Sequence, residues 1–281
     1  LIQKGTLEEG FKKAAYVVEG EYRVPHQEHT YIENNGMAAY VDKGTIVVMG
    51  SIQCPYYVHK ALKHIFGMED DKIRVLQTTT GGGFGGKEEY PNMIGAHAAL
   101  LALKAGKPVK IIYDRHEDMV ATTKRHPGII RHKTGLSKDG KLLAQDIDVL
   151  MDGGAYATLS SVVLSRATLH ATGPYECPNV RVASKVVMTN TPPNGAFRGF
   201  GAPQTLFAAE LHWEKITQAI GIDSLKLRRL NAFKEGSQTA TGQWLKESVG
   251  ARDTLERVVK KSGYEAKRKA HAFWNRDKKN K

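Results

Sequence analysis

An α+β fold, with mixed sheets and helices packed on them, is predicted by three observations. Hairpin signals at Asp42-Lys43-Gly44 and Ser137-Lys138-Asp139-Gly140 pair neighbouring strand-like runs. Helix-period stretches lie between such runs, and the two kinds do not alternate as a regular βαβ repeat would. Residues 7–14 read as a short helix and residues 16–24 as an extended segment. Residues 37–49 alternate around the first hairpin turn. Pro55 opens a helix running to Phe66, with Tyr57, Ala61, Leu62 and Ile65 on one side. Residues 73–76 are a buried strand entering a glycine cluster. A helix containing Ala96, Ala98, Ala99 and Leu103 follows and ends at Gly106-Lys107-Pro108. Residues 109–113 form another strand, and residues 129–136 and 142–151 pair around the second hairpin turn. A strand over 180–188 ends before Pro192-Pro193-Asn194-Gly195. Helices are expected over 205–220 and 224–233, separated by Gly221-Ile222-Asp223, and over 253–261. There is no internal repeat and no low-complexity segment.

The 281 residues are enough for one large domain or two ordinary ones, and 41% hydrophobic with 25% charged residues is a globular profile. Cys54 and Cys177 are the only cysteines, which excludes a disulfide framework and a cysteine-rich zinc or iron–sulfur site and suits a reducing compartment. No apolar run approaches the roughly 20 residues of a membrane span. The first residues carry no signal-peptide pattern and no initiator Met, so the chain reads as processed, truncated or excised from something longer. The net charge of +12 sits partly in Lys267-Arg268-Lys269 and Lys278-Lys279-Asn280-Lys281. It reads as a solvated face and flexible tail, because no aromatic–basic stripe suited to single strands accompanies it. His26 and His29 have a helical metal spacing, but nothing completes a site, and they read as structural.

Two glycine-rich loops carry the chemistry. The first is Gly81-Gly82-Gly83-Phe84-Gly85-Gly86-Lys87-Glu88. It matches G-x-G-x-x-G, but Phe84 is bulky for a pyrophosphate turn. It also begins like a phosphate-binding P-loop, yet Glu88 stands where Ser or Thr must hold magnesium. Its glycines permit close backbone approach, with an aromatic face supplied by Phe84. The second is Asn194-Gly195-Ala196-Phe197-Arg198-Gly199-Phe200-Gly201-Ala202-Pro203-Gln204, which adds a cation and two more rings. Together they predict a large, flat or anionic ligand held between them.

These two loops resemble the molybdopterin-binding chain of the xanthine dehydrogenase/aldehyde oxidase family. Ser51-Ile52-Gln53-Cys54-Pro55 resembles the family's glutamine loop. Arg115-His116-Glu117-Asp118-Met119 through Lys124-Arg125-His126-Pro127, and Asp152-Gly153-Gly154-Ala155-Tyr156, resemble further signatures. Order and spacing are kept across nearly the whole chain. The resemblance implies the first part of the molybdopterin-binding region of a molybdenum hydroxylase, most similar to the xanthine dehydrogenase type. Residues 1–235 would be a partial molybdopterin-binding domain and residues 236–281 a C-terminal helix and basic tail. Such enzymes hydroxylate a carbon beside a ring nitrogen, or an aldehyde carbon, with oxygen from water. Metal and pterin carry the hard chemistry, and the protein supplies placement and charge.

Carried over by position, the resemblance gives Gln53, Phe84, Gly85 and Arg198 to the molybdopterin site, with molybdenum held through the pterin rather than by side chains. Phe200 would pack on the substrate ring. Glu88 would hydrogen-bond a purine, and Arg166, facing a purine carbonyl, would stabilise charge spreading over the ring. Taken alone, Glu88 would be a helix-terminal carboxylate and Arg166 a surface cation. Together they favour a xanthine- or hypoxanthine-type purine over an aldehyde. A nicotinate-like ring is the nearest rival substrate. Neither loop carries the copper-holding cysteine of carbon monoxide-oxidising relatives.

The family's catalytic glutamate has no matching loop here, so the remaining part of the molybdenum chain is an expected partner and the chain is expected to be inactive alone. Iron–sulfur (2Fe-2S) and FAD subunits or domains are the other implied partners, in the cytoplasm, with no membrane and no nucleic acid. A reading of a different class is a catalytically dead remnant that binds anions or nucleic acid through its basic tail.

Overall fold

The computed structural model describes residues 1–276. The elements run β1 (Ile2–Lys4), α1 (Leu7–Lys12), β2 (Tyr16–Val24), β3 (Gly36–Asp42), β4 (Thr45–Gly50), α2 (Pro55–Phe66), β5 (Ile73–Gln77), α3 (Pro91–Ala105), β6 (Val109–Ile112) and α4 (Arg115–Ala121). There follow β7 (Lys124–Arg125), β8 (Gly128–Leu136), β9 (Leu142–Gly154), α5 (Ser160–His170), β10 (Asn179–Met188), β11 (Asn194–Gly195), α6 (Ala202–Ile220), α7 (Ser224–Asn231), α8 (Ala251–Ser262) and α9 (Tyr264–Trp274). The expected α+β class is what the chain adopts, with two mixed sheets.

One sheet has the strand order β5-β4-β3-β6 and the other β1-β10-β9-β8-β2. Each contains one parallel pair joined through a helix, β4 with β5 across α2 and β9 with β10 across α5, among antiparallel neighbours. The alternating residues of β3 and β4 drive one face of the first sheet against α2 and α3. Met37, Ala39, Ile46 and Val48 meet Val58, Leu62, Ile94 and Ala98 there. On the second sheet Ile130, Ile147, Val149, Met151 and Val182 pack under Val163 and Ala167 of α5 and Ala208, Trp213 and Ile216 of α6. The two glycine loops leave different layers. The first follows β5 of the smaller sheet, and the second enters α6 over the larger one.

Several elements lie outside the sequence reading. Helix α5 escapes it because its inward residues are Ser160, Val163, Ala167 and Thr168, a helical spacing written with small and polar side chains. Helix α4 is opened by a capping box between Asp114 and Glu117, a D-x-x-E signal that the sequence carries. The tail needs a correction. Lys267, Arg268 and Lys269 belong to α9, which restarts at Gly263 directly after α8, so this part of the tail is helical rather than an irregular flexible segment. Lys278, Lys279, Asn280 and Lys281 lie outside the described residues. Beyond residue 235, Ser237 donates from Oγ to Glu176 at 3.0 Å and Lys4 Nζ donates to the Gln238 and Thr239 carbonyls, which ties this stretch to the larger sheet. No described helix is long and apolar enough to cross a membrane.

Candidate active site

The first loop is pinned from below. Gln53, between β4 and α2, accepts through Oε1 from the Gly85 and Lys87 amides at 2.9 and 3.2 Å, and its own amide donates to the Lys87 carbonyl at 2.8 Å. Its side-chain oxygen is thus committed to the loop, and the NH2 end is the one that can donate elsewhere. Lys87 turns inward. It is fully buried, with Nζ donating to the Glu33 carbonyl (2.7 Å), Glu33 Oε2 (2.8 Å) and Ser51 Oγ (3.1 Å). That orientation rules out the phosphate-binding role a lysine takes in a P-loop. Burial alone would raise the Glu33 carboxyl, but hydrogen bonds from Lys87, Ser51 and Gly81 outweigh it and hold the group at about 2.

The two loops meet through their backbones. The Arg198 amide donates to the Phe84 carbonyl at 2.9 Å. Gly85 allows this approach: its φ is +101°, and a Cβ there would lie 2.7 Å from the Ala196 oxygen and 2.9 Å from the Phe197 nitrogen. Each loop also holds a phenylalanine at positive φ, Phe84 at +50° and Phe200 at +54°. Such strain persists only where the surroundings over-determine it, and it concentrates at functional sites. Phe84 is 47% exposed.

The second loop is braced from behind. β11 pairs in parallel with β7, which places Arg125 beside it. The Phe197 ring is sandwiched, with the Arg125 guanidinium 3.9 Å from one face and the His29 ring stacked at 4.4 Å and 26° on the other. His29 Nε2 donates to the Ala196 carbonyl at 2.7 Å. The histidine read as structural is therefore a brace for this loop, and residues 25–35 contain no helix to give His26 and His29 a ligating spacing.

The candidate substrate residues sit at the rim. Gly201 packs its backbone onto α5, where an added Cβ would lie 3.0 Å from the Ala167 nitrogen. This brings the exposed Arg166 to 5.8 Å from the centre of the Phe200 ring. Glu88 is half-buried on the first loop. Burial raises its carboxyl, and His29 opposes the shift. No ion pair joins Glu88 to Arg166 among the described residues. Glu89, which the sequence reading passed over, bridges the two sides. Its Oε2 accepts from the Leu159 amide at 3.2 Å, just before α5. Burial pushes this carboxyl up to about 7 despite that bond and one from Thr158. Arg125, His29, Lys87 and Glu89 could not be assigned from local sequence, because each acts on a segment far away in the chain.

The donor chemistry suits an anionic, flat group. Arg198 is exposed, Arg125 is a buried cation whose hydrogen-bond acceptors are all neutral, and backbone amides and phenyl faces surround the junction. Gln53, Phe84, Gly85 and Arg198 all lie at that junction, while Arg166 and Phe200 stand together on its α5 side.

Comparison with known proteins agrees with this chemistry. Residues 1–232 match the molybdopterin cofactor-binding domain family. The chain is similar to the nicotinate dehydrogenase large molybdopterin subunit of Eubacterium barkeri, 40% identical over 272 residues that cover 95% of this chain and 64% of the relative. It is also similar to a probable xanthine dehydrogenase subunit of Bacillus subtilis, 41% identical over 257 residues, 91% of this chain and 34% of the relative. Among solved structures, the aldehyde oxidoreductase of Desulfovibrio gigas superposes with a TM-score of 0.88 at 29% identity, covering 95% of this chain and 29% of that one. The chain thus spans under two thirds of the length of each of these relatives. The joined glycine loops, the mixed sheets that carry them and these matches have one common explanation: the chain belongs to the molybdopterin cofactor-binding domain family.

Proposed function

We propose that this chain forms part of a cytoplasmic molybdenum hydroxylase that oxidises a purine of the xanthine or hypoxanthine type at a carbon beside a ring nitrogen, with water as the oxygen source. The observation that carries this reading is the junction at which Arg198 donates to Phe84 while Arg166 stands against Phe200. Molybdopterin, when bound, supplies the redox chemistry at the metal. Gln53, Phe84, Gly85 and Arg198 hold and orient it. Phe200 packs on the substrate ring, Glu88 hydrogen-bonds its nitrogens, and Arg166 stabilises negative charge developing on a ring carbonyl.

Because the chain spans under two thirds of its relatives, we assign the catalytic glutamate to the remaining part of the molybdenum chain, and the 2Fe-2S clusters and FAD to partner subunits or domains. Alone, this chain turns over no substrate. A nicotinate-like ring is the second reading, favoured by the 40% identity to the nicotinate dehydrogenase subunit over 95% of this chain. Arg166→Met in the complete enzyme separates the two. Loss of a charge-assisted contact in the transition state lowers purine kcat/KM by about 10²- to 10³-fold. Turnover of a ring without a carbonyl at that position is spared. Equal loss on every substrate would leave Arg166 a structural role only.

A further inference from the structure

We propose that Arg125 is a positioning residue for the second glycine loop, holding its shape and giving it uncompensated positive charge toward the anionic group that the loop receives. The inference rests on the cofactor-site reading above.

Three features of Arg125 lead there. First, its guanidinium ties together three separate segments. Nε donates to Gln27 Oε1 at 2.9 Å, one terminal nitrogen to Gln204 Oε1 at 3.4 Å and the other to the Arg198 carbonyl at 3.0 Å. Second, it clamps Phe197 from the face opposite His29, so residues 196–198 are held by a ring stack and two carbonyl contacts. Third, the residue is 8% exposed, yet its guanidinium donates to two side-chain amide oxygens and a carbonyl and, among the described residues, to no carboxylate. A buried cation that meets only neutral acceptors has no counter-charge to offset it.

The Arg198 carbonyl belongs to the same peptide group as the Gly199 N–H. A charged donor on the oxygen polarises that peptide and strengthens its N–H as a donor to an anion. A planar guanidinium is the side chain suited to this: the three donors of a lysine ammonium radiate from one atom, so it could charge the peptide but could not span acceptors on three separate segments while laying a flat face on Phe197.

The experiment uses the complete enzyme carrying Arg125→Gln or Arg125→Lys. Amide exchange across residues 194–201 reads the loop, and molybdenum and pterin retained per chain after extensive dialysis read the site. Arg125→Gln is expected to speed exchange about tenfold or more and to weaken cofactor retention about 10- to 100-fold, the effect of losing a supporting residue behind a metal site. Arg125→Lys is expected to speed exchange similarly but to retain more cofactor, because the charge remains. Unchanged exchange in Arg125→Gln overturns the positioning role. Equal retention in the two variants overturns the electrostatic one. If Arg125→Gln does not fold, Arg125→Lys decides alone, with faster exchange supporting the positioning role and wild-type exchange refuting it. Wild-type enzyme without molybdenum or pterin would refute the cofactor reading, and exchange alone would then decide whether Arg125 positions the loop.

Discussion

Replacing Gly85 by Ala should unlatch the two loops from each other. At φ +101° an L-residue is strained, which costs about 1–3 kcal/mol. The added Cβ would also lie 2.7, 2.8 and 2.9 Å from backbone atoms of Ala196 and Phe197, none of which is a flexible side-chain end. The second loop must therefore retreat, and the Arg198 to Phe84 hydrogen bond goes with it, at about 0.5–1.5 kcal/mol. The expected total is about 2–4 kcal/mol. Gly44→Ala is the control. Its φ is +81° in the β3–β4 turn, and an added Cβ there meets nothing within 4 Å, so it bears backbone strain alone. Urea unfolding followed through the buried Trp213 gives the stabilities, and amide exchange across residues 194–201 reports the latch. Gly85→Ala should lose stability beyond the control and expose the Arg198 amide, which the control leaves protected. If the variants match in stability, or the Arg198 amide stays protected in Gly85→Ala, the loops are not held together as described.

Three further outcomes follow from the buried ionisable groups. His132 of β8 and His212 of α6 stack at 5.0 Å between sheet and helix, and burial lowers them to about 3 and about 4. Both bind protons more readily when unfolded, so their contribution to stability is complete above about pH 6.5 and is lost as pH falls toward 4. His132→Phe should flatten that loss in urea titrations at pH 7 and pH 5. Glu89 has the opposite sign: raised to about 7, it resists ionising in the folded chain and erodes stability as pH rises from about 4.5 through 7. Glu89→Gln should therefore gain stability over wild type at pH 8 and little at pH 5, and the same two-pH titration checks it. Lys87→Met removes the cation that Glu33 and Ser51 surround, at a cost of about 2–4 kcal/mol, discounted because Glu33 is partly exposed. Differential scanning of Lys87→Met against Glu33→Gln tests this, with the larger drop in Tm expected for the lysine.

The elements with a clean period were legible in the sequence. Tyr16–Val24 and Pro55–Phe66 have the boundaries that alternation and an N1 proline imply. Helix α5 was not legible, because polarity and small size hide its buried stripe, and with it went the support for Arg166. At the site, the glycine loops announced themselves by composition, and the roles proposed for their residues come from the family resemblance. What the sequence could not show is contact across the fold. Arg125 reaches Arg198 and Lys87 reaches Glu33 over 73 and 54 positions of the chain. The inward turn of Lys87 is set by Ser51 and Tyr31, not by the glycines beside it.

The proposed molybdopterin site lies at the junction of the two glycine loops. The most direct measurement is molybdenum and pterin analysis of the complex purified from its native host through a tag on this chain. Molybdenum and pterin equimolar with the chain, and lost from the Gly85→Ala complex while its subunits remain together, is the predicted result. A stable complex that holds neither, or one that keeps both with the loops forced apart, would contradict it.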